Sequence, residues 1–349
     1  MNKFMTAGAA LLATTTMVSA GGIDRSGQPI TAIFEDGNYV ELSFGSVSPS
    51  ISGTLAGNPS GNIGVDYTQL GFAMKTDLTD AFSVALIIDQ PFGANVAYPT
   101  GTGYALAGLS AEVTTTGTTV LGRYKINDRF SVHGGARMVT ASGQYDAGPA
   151  GGGYNSTYSS DSATGYVIGG AYERPDIAMR IAVTYSSALD FVLDGAPGGD
   201  LTTTMPESVN LDFQTGIAAD TLLFGSIRWA AWDGVVINDN SPHPAAGDLV
   251  AYTADVITYN IGVGRRFSDS FSGSIAIGHE ASAGTPTGNL GPTDGYTSVQ
   301  VGGAYNFGNG LEVSGGVRYI WIGDATTTIG ANFSGNTATA VGLKMAYNF

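Results

Sequence analysis

Apolar and polar residues alternate with a period of two through most of the chain, the signature of strands with two unlike faces. Phe130, Val132, Gly134, Ala136 and Met138 alternate with Arg129, Ser131, His133, Gly135 and Arg137. Ile177, Met179, Ile181, Val183 and Tyr185 do the same, as do Thr297 to Phe307 and Val341 to Phe349. The pattern predicts fourteen strands near 39–49, 64–76, 81–93, 109–126, 129–144, 163–173, 176–188, 206–218, 221–232, 252–267, 271–281, 294–307, 311–322 and 337–349. Tight turns such as Asn127-Asp128, Arg174-Pro175 and Ala219-Asp220 alternate strictly with long polar loops such as 145–162 and 233–251. Short turns at one end and long loops at the other mark a closed antiparallel transmembrane β-barrel. An even strand number brings both ends of the barrel to the short-turn side.

Composition agrees. Only 12% of the 349 residues are charged while 43% are hydrophobic, whereas soluble domains carry about a quarter charged residues. The face opposite the apolar one holds Gly, Ser, Thr and Asn with a few Arg, which suits a lumen better than bulk solvent. Phe82, Tyr124, Phe130, Phe267, Phe271, Phe307 and Phe349 fall in the outward register beside the tight turns, where an aromatic girdle belongs. Residues 1–20 read as a signal peptide, with Lys3 ahead of an apolar core and Val18-Ser19-Ala20 at the cleavage site. Its loss leaves the acidic excess one larger than the −15 of the whole chain. Such acidity argues against nucleic acid as a partner. The chain contains no Cys, so it has neither disulfides nor thiolate metal sites.

The inward register places Arg137, Arg228 and Arg318 at one height, seven or eight residues from their turns, with Arg180 lower. A ring of guanidinium forks suits an anionic head group, carboxylate above all; bracing ion pairs to Asp212, Glu312 or other inward carboxylates are the plainer role. Ile87, Leu222, Phe224, Trp232 and Ile320 also face inward, and a lumen of apolar walls with basic points suits an amphipathic acid better than sugars or ions. Arg265 breaks the pattern by pointing at lipid, which requires a bulge or snorkelling. Asp89-Gln90-Pro91-Phe92-Gly93 interrupts the third strand. Pro91 cannot donate to the ladder and Gly93 weakens it. The segment is either a kink that opens a side door, involving Asp89, Pro91, Phe92 and Gly93, or the end of the strand. His133, His243 and His279 converge with no Ser and acid into a catalytic set, and no metal or cofactor site is expected.

These features resemble the FadL family, outer-membrane transporters of long-chain fatty acids and other hydrophobic compounds. The likeness lies in Phe82-Ser83-Val84-Ala85-Leu86, the strand pair from Tyr67 to Gly93, the turn Lys125 to Ser131, Met205-Pro206-Glu207-Ser208 and Arg228-Trp229-Ala230-Ala231-Trp232. The resemblance implies a monomeric barrel plugged by an N-terminal hatch, with ligand entering among the extracellular loops and leaving sideways at a third-strand kink, matched by Pro91 and Gly93. The hatch, Gly21 to about Gly37, is shorter than the family's and lacks its Asn-Pro-Ala stretch. The terminal Tyr347 and Phe349 resemble the signal read by the barrel-insertion machinery. The expectation is a bacterial outer-membrane protein, set in lipid and lipopolysaccharide, for facilitated diffusion of long-chain fatty acids or related hydrophobic anions. A general porin and a structural or adhesive barrel acting through its loops are the alternatives.

Overall fold

The computed structural model describes residues 21–284 and 286–349; the expected signal peptide lies outside the described residues. The described chain forms a closed all-antiparallel barrel of fourteen strands. They are β1 (Tyr39–Ser50), β2 (Tyr67–Asp77), β3 (Phe82–Asp89, resuming at Gly93–Ala97), β4 (Ser110–Lys125), β5 (Phe130–Asp146), β6 (Asn155–Arg174) and β7 (Met179–Ser186). The rest are β8 (Ser208–Ala218), β9 (Thr221–Ala230), β10 (Val256–Arg266), β11 (Phe271–Glu280), β12 (Tyr296–Asn306), β13 (Leu311–Ile322) and β14 (Thr337–Asn348). β1 closes on β14 in unbroken register from Tyr39↔Asn348 to Ser50↔Thr337. Closure leaves no edge, which hydrocarbon would not tolerate.

The two faces of the wall differ as the alternation requires. Leu42, Leu70, Val120, Ile261 and Val301 stand exposed outside, while Leu121, Val139, Ala340 and Ala182 are buried inside. The girdle is present: Phe82, Tyr124, Phe130, Phe267, Phe271, Phe307 and Phe349 are all exposed at the short-turn end, several in pairs such as Phe130–Tyr172 at 5.0 Å. At that end the chain termini of the barrel meet, with the Phe349 amide donating to the Asn38 carbonyl at 3.0 Å. Gly310 takes φ +94° in the β12–β13 turn, where a side chain would strike the Asn348 carbonyl. Arg265 does face outward, in an unbroken β10 register beside the turn. It sits low enough to reach the headgroup level, so snorkelling rather than a bulge accommodates it.

Two expectations need correction. β6 begins at Asn155 rather than 163, because its upper half pairs with β5 beyond a shift between Ala141 and Gly143. The segments 189–205 and 233–251 are not irregular loops. Leu189–Leu193, Leu201–Met205, Val236–Asp239 and Gly247–Ala251 form a four-stranded sheet. Its inner face, Leu189, Phe191, Leu193 and Met205, packs over Val139, Tyr158 and Trp232 and roofs part of the lumen. Tyr154 and Tyr158 both donate to Asp239 Oδ2, at 2.7 and 2.8 Å, and tie this roof to β6. A second small sheet, built from Gly53–Leu55, Asn58–Pro59, Ala325–Thr326 and Asn332–Phe333, covers the other side.

Candidate functional site

The lumen is filled from below by the hatch, Gly21 to Asn38. Its only helical turn is Thr31–Phe34, whose Ala32, Ile33 and Phe34 are buried against Tyr39, Ala85, Ile87, Leu121 and Ala182 of the wall. Phe34 is gripped by cations: the Arg123 and Arg180 guanidiniums each lie 4.7 Å from its ring, and His133 meets it edge-on at 5.7 Å. Arg123 also pairs with Glu173 and donates to Ser131, while Arg180 donates to Gln214 at 3.2 Å. Arg180 is therefore part of the seal around Phe34.

One turn higher, the hatch meets the other arginines. Arg228 and Asp24 form an ion pair at 2.7 Å with both side chains about 5% exposed. Trp232 Nε1 donates to the second Asp24 oxygen at 2.7 Å, and Arg228 also donates to Ser208 and Asn210. Arg137 donates to Thr119, to Ser186 and to the Gln28 side chain of the hatch. Arg318 instead donates to Ser298 at 2.9 Å and to the Tyr296 hydroxyl, within the barrel wall. The three arginines share the inward register, yet their donors converge on no common vacancy. Two of them hold the hatch. The bracing carboxylate is Asp24, not the Asp212 or Glu312 named from register.

The apolar residues likewise fall into separate clusters. Leu222 and Phe224 pack with Ala276 low on the wall, Ile87 backs the hatch, Trp232 joins the roof, and Ile320 packs with Val47, Tyr296 and Ala338.

The third strand is interrupted as its sequence requires. Asp89 pairs with Gly117 of β4 and Gly93 pairs with Thr114, so β3 spends one residue more than β4 between these points. The extra length bends Gln90–Phe92 inward, and Phe92 points into the core 6.1 Å from Trp232. β2 keeps its β3 partner only from Phe72↔Ile88 downward. Above that, Tyr67–Gly71 has β1 on one side and no β3 ladder on the other. The hatch takes the place of β2. The Arg25 and Ser26 amides donate to the Pro91 and Gln90 carbonyls at 2.9 and 3.2 Å, and the Gly93 amide donates to Ile23 at 2.8 Å. Ser26 Oγ donates to Asp89 at 2.5 Å. The gap in the wall is spanned by bonds between a side chain and the backbone: the Leu70 amide donates to Gln90 Oε1 at 3.2 Å, and Gln69 Nε2 donates to the Gln90 carbonyl at 3.3 Å. A small cavity, about 70 Å³, runs here from Ser26 and Thr31 to Phe44, Leu70 and Phe72 on the lipid side.

Above the hatch lies a larger cavity, about 230 Å³. Gly21–Arg25 form its floor, Val96, Ala111 and Val113 part of its wall, and Leu193, Leu201, Met205, Ile237 and Leu290 part of its ceiling. Of the kink residues named from sequence, Gly93 lines it. Its acids already have donors: Asp24 from Arg228 and Trp232, and Glu112 from Gln144. Arg25 differs. It is 7% exposed, stacks 4.0 Å above the Tyr67 ring, and its guanidinium has no hydrogen-bond acceptor among the described residues. Burial lowers its pKa, with Tyr67 and Glu112 opposing the shift. Asp24, Arg25, Ser26 and Gln28 were not singled out by sequence reasoning. Their signal was an acid, a base and two further polar side chains crowded into an otherwise apolar and Gly-rich stretch.

No family model and no curated protein matches this chain. Solved structures do. A FadL homologue of Pseudomonas aeruginosa aligns over 92% of each chain with TM-score 0.75 and 14% identity. The toluene transporter TodX of Pseudomonas putida aligns over 97% of this chain and 96% of its own, with TM-score 0.69 and 12% identity. The toluene transporter TbuX of Ralstonia pickettii aligns over 90% of each, with TM-score 0.65 and 14% identity. The chain has the fold of the FadL-type channels.

Proposed function

We propose that the protein is a bacterial outer-membrane passage for hydrophobic compounds, working by diffusion without an energy source. Ligand enters the upper cavity among the loops, and leaves sideways into the bilayer between β2 and β3. The observation that carries the reading is the replaced ladder at the kink: β3 bonds to hatch residues Ile23–Ser26 where it should bond to β2. Displacing four hatch residues opens a route that the strand wall itself does not close. A hydrophobic solute gains by partitioning from this cavity into lipid, at about 25 cal/mol per Å² of apolar surface removed from water. A filled lumen at the level of Phe34 is the opposite of what a general porin needs.

Fatty acids and related anions remain the favoured cargo because of Arg25, a buried cation at the cavity floor whose donors face open space. The ring of Arg137 and Arg228 takes a different role in this account, as the lock that holds the hatch. Similarity of fold to a FadL homologue and to toluene transporters fits hydrophobic cargo in general. The test is reconstitution. Vesicles carrying the protein should take up labelled oleate, while planar bilayers record little steady ion conductance. Free ion conductance with no oleate uptake would refute the reading in favour of a porin.

A further inference from the structure

The charges of the barrel are sorted by end. Lys125, Arg129, Arg174, Arg265 and Arg266 stand at the short-turn end, and the other described bases, such as Arg123, Arg137 and Lys344, are held inside the barrel. The long loops, at 51–66, 98–109, 147–154, 187–207, 231–255, 281–295 and 323–336, contain no Lys or Arg, and His243 is their one titratable base. They do carry acids. Asp66, Asp194, Asp200 and Asp233 are exposed there, and Asp255 and Asp294 line the upper cavity together with Glu112 of β4. Among the described residues lining that cavity, Arg25 at the floor is the one Lys or Arg. It is 7% exposed and flanked by Tyr67, Glu112 and its neighbour Asp24. Charge therefore reverses along the way in, from negative at the mouth to positive at the floor. A mouth lined by one sign of charge focuses its field and holds off ions of the same sign. A buried cation, in turn, is costly unless an anion meets it.

We infer that the mouth admits a long-chain carboxylic acid in its uncharged form, and that the acid ionises only at the floor, against Arg25. In that step the carboxyl O–H bond breaks, its electron pair stays on the oxygen, and the proton passes to water. The carboxylate then accepts charge-assisted hydrogen bonds from the guanidinium. The loop acids are thereby specificity-determining groups. A neutral hydrophobe passes them freely, whereas a carboxylate is held back until it is protonated or the field is screened. Screening is strong within ordinary salt, because the Debye length shrinks from about 30 Å at 0.01 M to about 10 Å at 0.1 M. The inference rests on the passage for hydrophobic compounds proposed above and adds the charge state in which an acid arrives. The route by which cargo leaves does not enter it.

The test follows the association of a fluorescent polyene fatty acid, and of its methyl ester, with the protein purified from outer membranes in an uncharged detergent without divalent cations. At about pH 8, where a carboxyl is ionised, and in about 0.01 M salt, the acid should associate roughly tenfold more slowly than the ester. Raising the salt to about 0.1 M should speed the acid several-fold and leave the ester unchanged. The combined variant Asp66→Asn/Asp194→Asn/Asp200→Asn/Asp233→Asn changes only exposed loop carboxylates, so the barrel should still fold. It should narrow the gap between acid and ester and flatten the salt dependence. At about pH 4, where most of the free acid is uncharged, saturating wild type should release most of a proton per acid bound, and saturating Arg25→Ala should release almost none. An acid that associates as fast as its ester in dilute buffer, or that slows as salt is added, would overturn the inference and leave the passage standing. Equal proton release from wild type and Arg25→Ala would overturn it as well. If neither acid nor ester binds, the passage itself falls and the inference with it.

Discussion

Two stretches of the same wall bury their backbones in different ways. From β10 through β14 every strand finds both partners in the sheet, and the register runs without interruption through Gly264↔Ser274, Val301↔Val317 and Gly315↔Leu343. Around β3 the sheet gives up one ladder: the Gln90 and Pro91 carbonyls and the Gly93 amide bond to the hatch, and the Phe92 amide and carbonyl to the Thr115 hydroxyl of β4. The first arrangement is closed whatever the lumen contains. In the second, the hatch supplies backbone partners that the sheet lacks. Under the proposed function, position of the plug and integrity of the wall are therefore one variable at β3 and two unrelated ones opposite it. Hydrogen-bond energetics make the coupling strong, since an unpaired backbone group in hydrocarbon costs several kcal/mol.

The comparison can be broken by loosening the hatch. Arg228→Ala should act most strongly, because it leaves Asp24 buried without its cation. The expected cost to hatch docking is about 3 kcal/mol, read as faster amide exchange over residues 21–28 and as rising ion conductance. Strand amides in β10–β14 should be unchanged. Phe34→Ala removes an aromatic ring held between Arg123 and Arg180. Its expected cost is of similar order, about 3 kcal/mol, with conductance again the readout.

A smaller, pH-dependent effect is expected at Glu35, beside the Thr31–Phe34 turn. Its Oε2 is shielded from solvent with no hydrogen-bond partner among the described residues. Burial pushes its pKa up to about 7, against the opposing pull of Lys344 and Arg180 and with added repulsion from Glu41 and Glu312. A carboxyl whose folded pKa lies above its ordinary value favours the folded state when protonated. Hatch docking should be strongest below pH 4.5 and weaken as pH rises through 7. Glu35→Gln should flatten that dependence, and a dependence unchanged in the variant would exclude Glu35 as its source. Smallest of all, Arg25→Ala should weaken binding of a long-chain carboxylate about tenfold, roughly 1.4 kcal/mol. Binding of toluene, which has no charge to lose, should be little affected. Equal losses for both ligands would mean that Arg25 shapes the cavity rather than reading a carboxylate.

The contrast between the two stretches also explains what the sequence made legible. Strand count, register and girdle follow from a local period of two, so residues as far apart as Phe82 and Phe349 could be placed by alternation alone. The kink was legible because Pro91 and Gly93 act on the backbone within one strand. Partners across the lumen were not. Asp24 and Arg228 are 204 residues apart in the chain, and no local pattern tells whether an inward guanidinium meets a ligand, a neighbouring strand or a plug. The roof sheet was missed for a related reason. Leu189, Phe191 and Leu193 alternate like a strand, but Gly and Asp residues crowd the turns around them and give the segment a loop's composition.

The central claim is that the way out lies between β2 and β3 and is barred by the hatch. Gln69 and Gln90 already touch across that gap, and the chain has no native cysteine to interfere. The direct measurement is oleate uptake by vesicles carrying Gln69→Cys/Gln90→Cys, oxidised and then reduced. The account predicts that oxidation abolishes uptake while oleate still binds, and that reductant restores it. Uptake at the wild-type rate through the oxidised protein would contradict it.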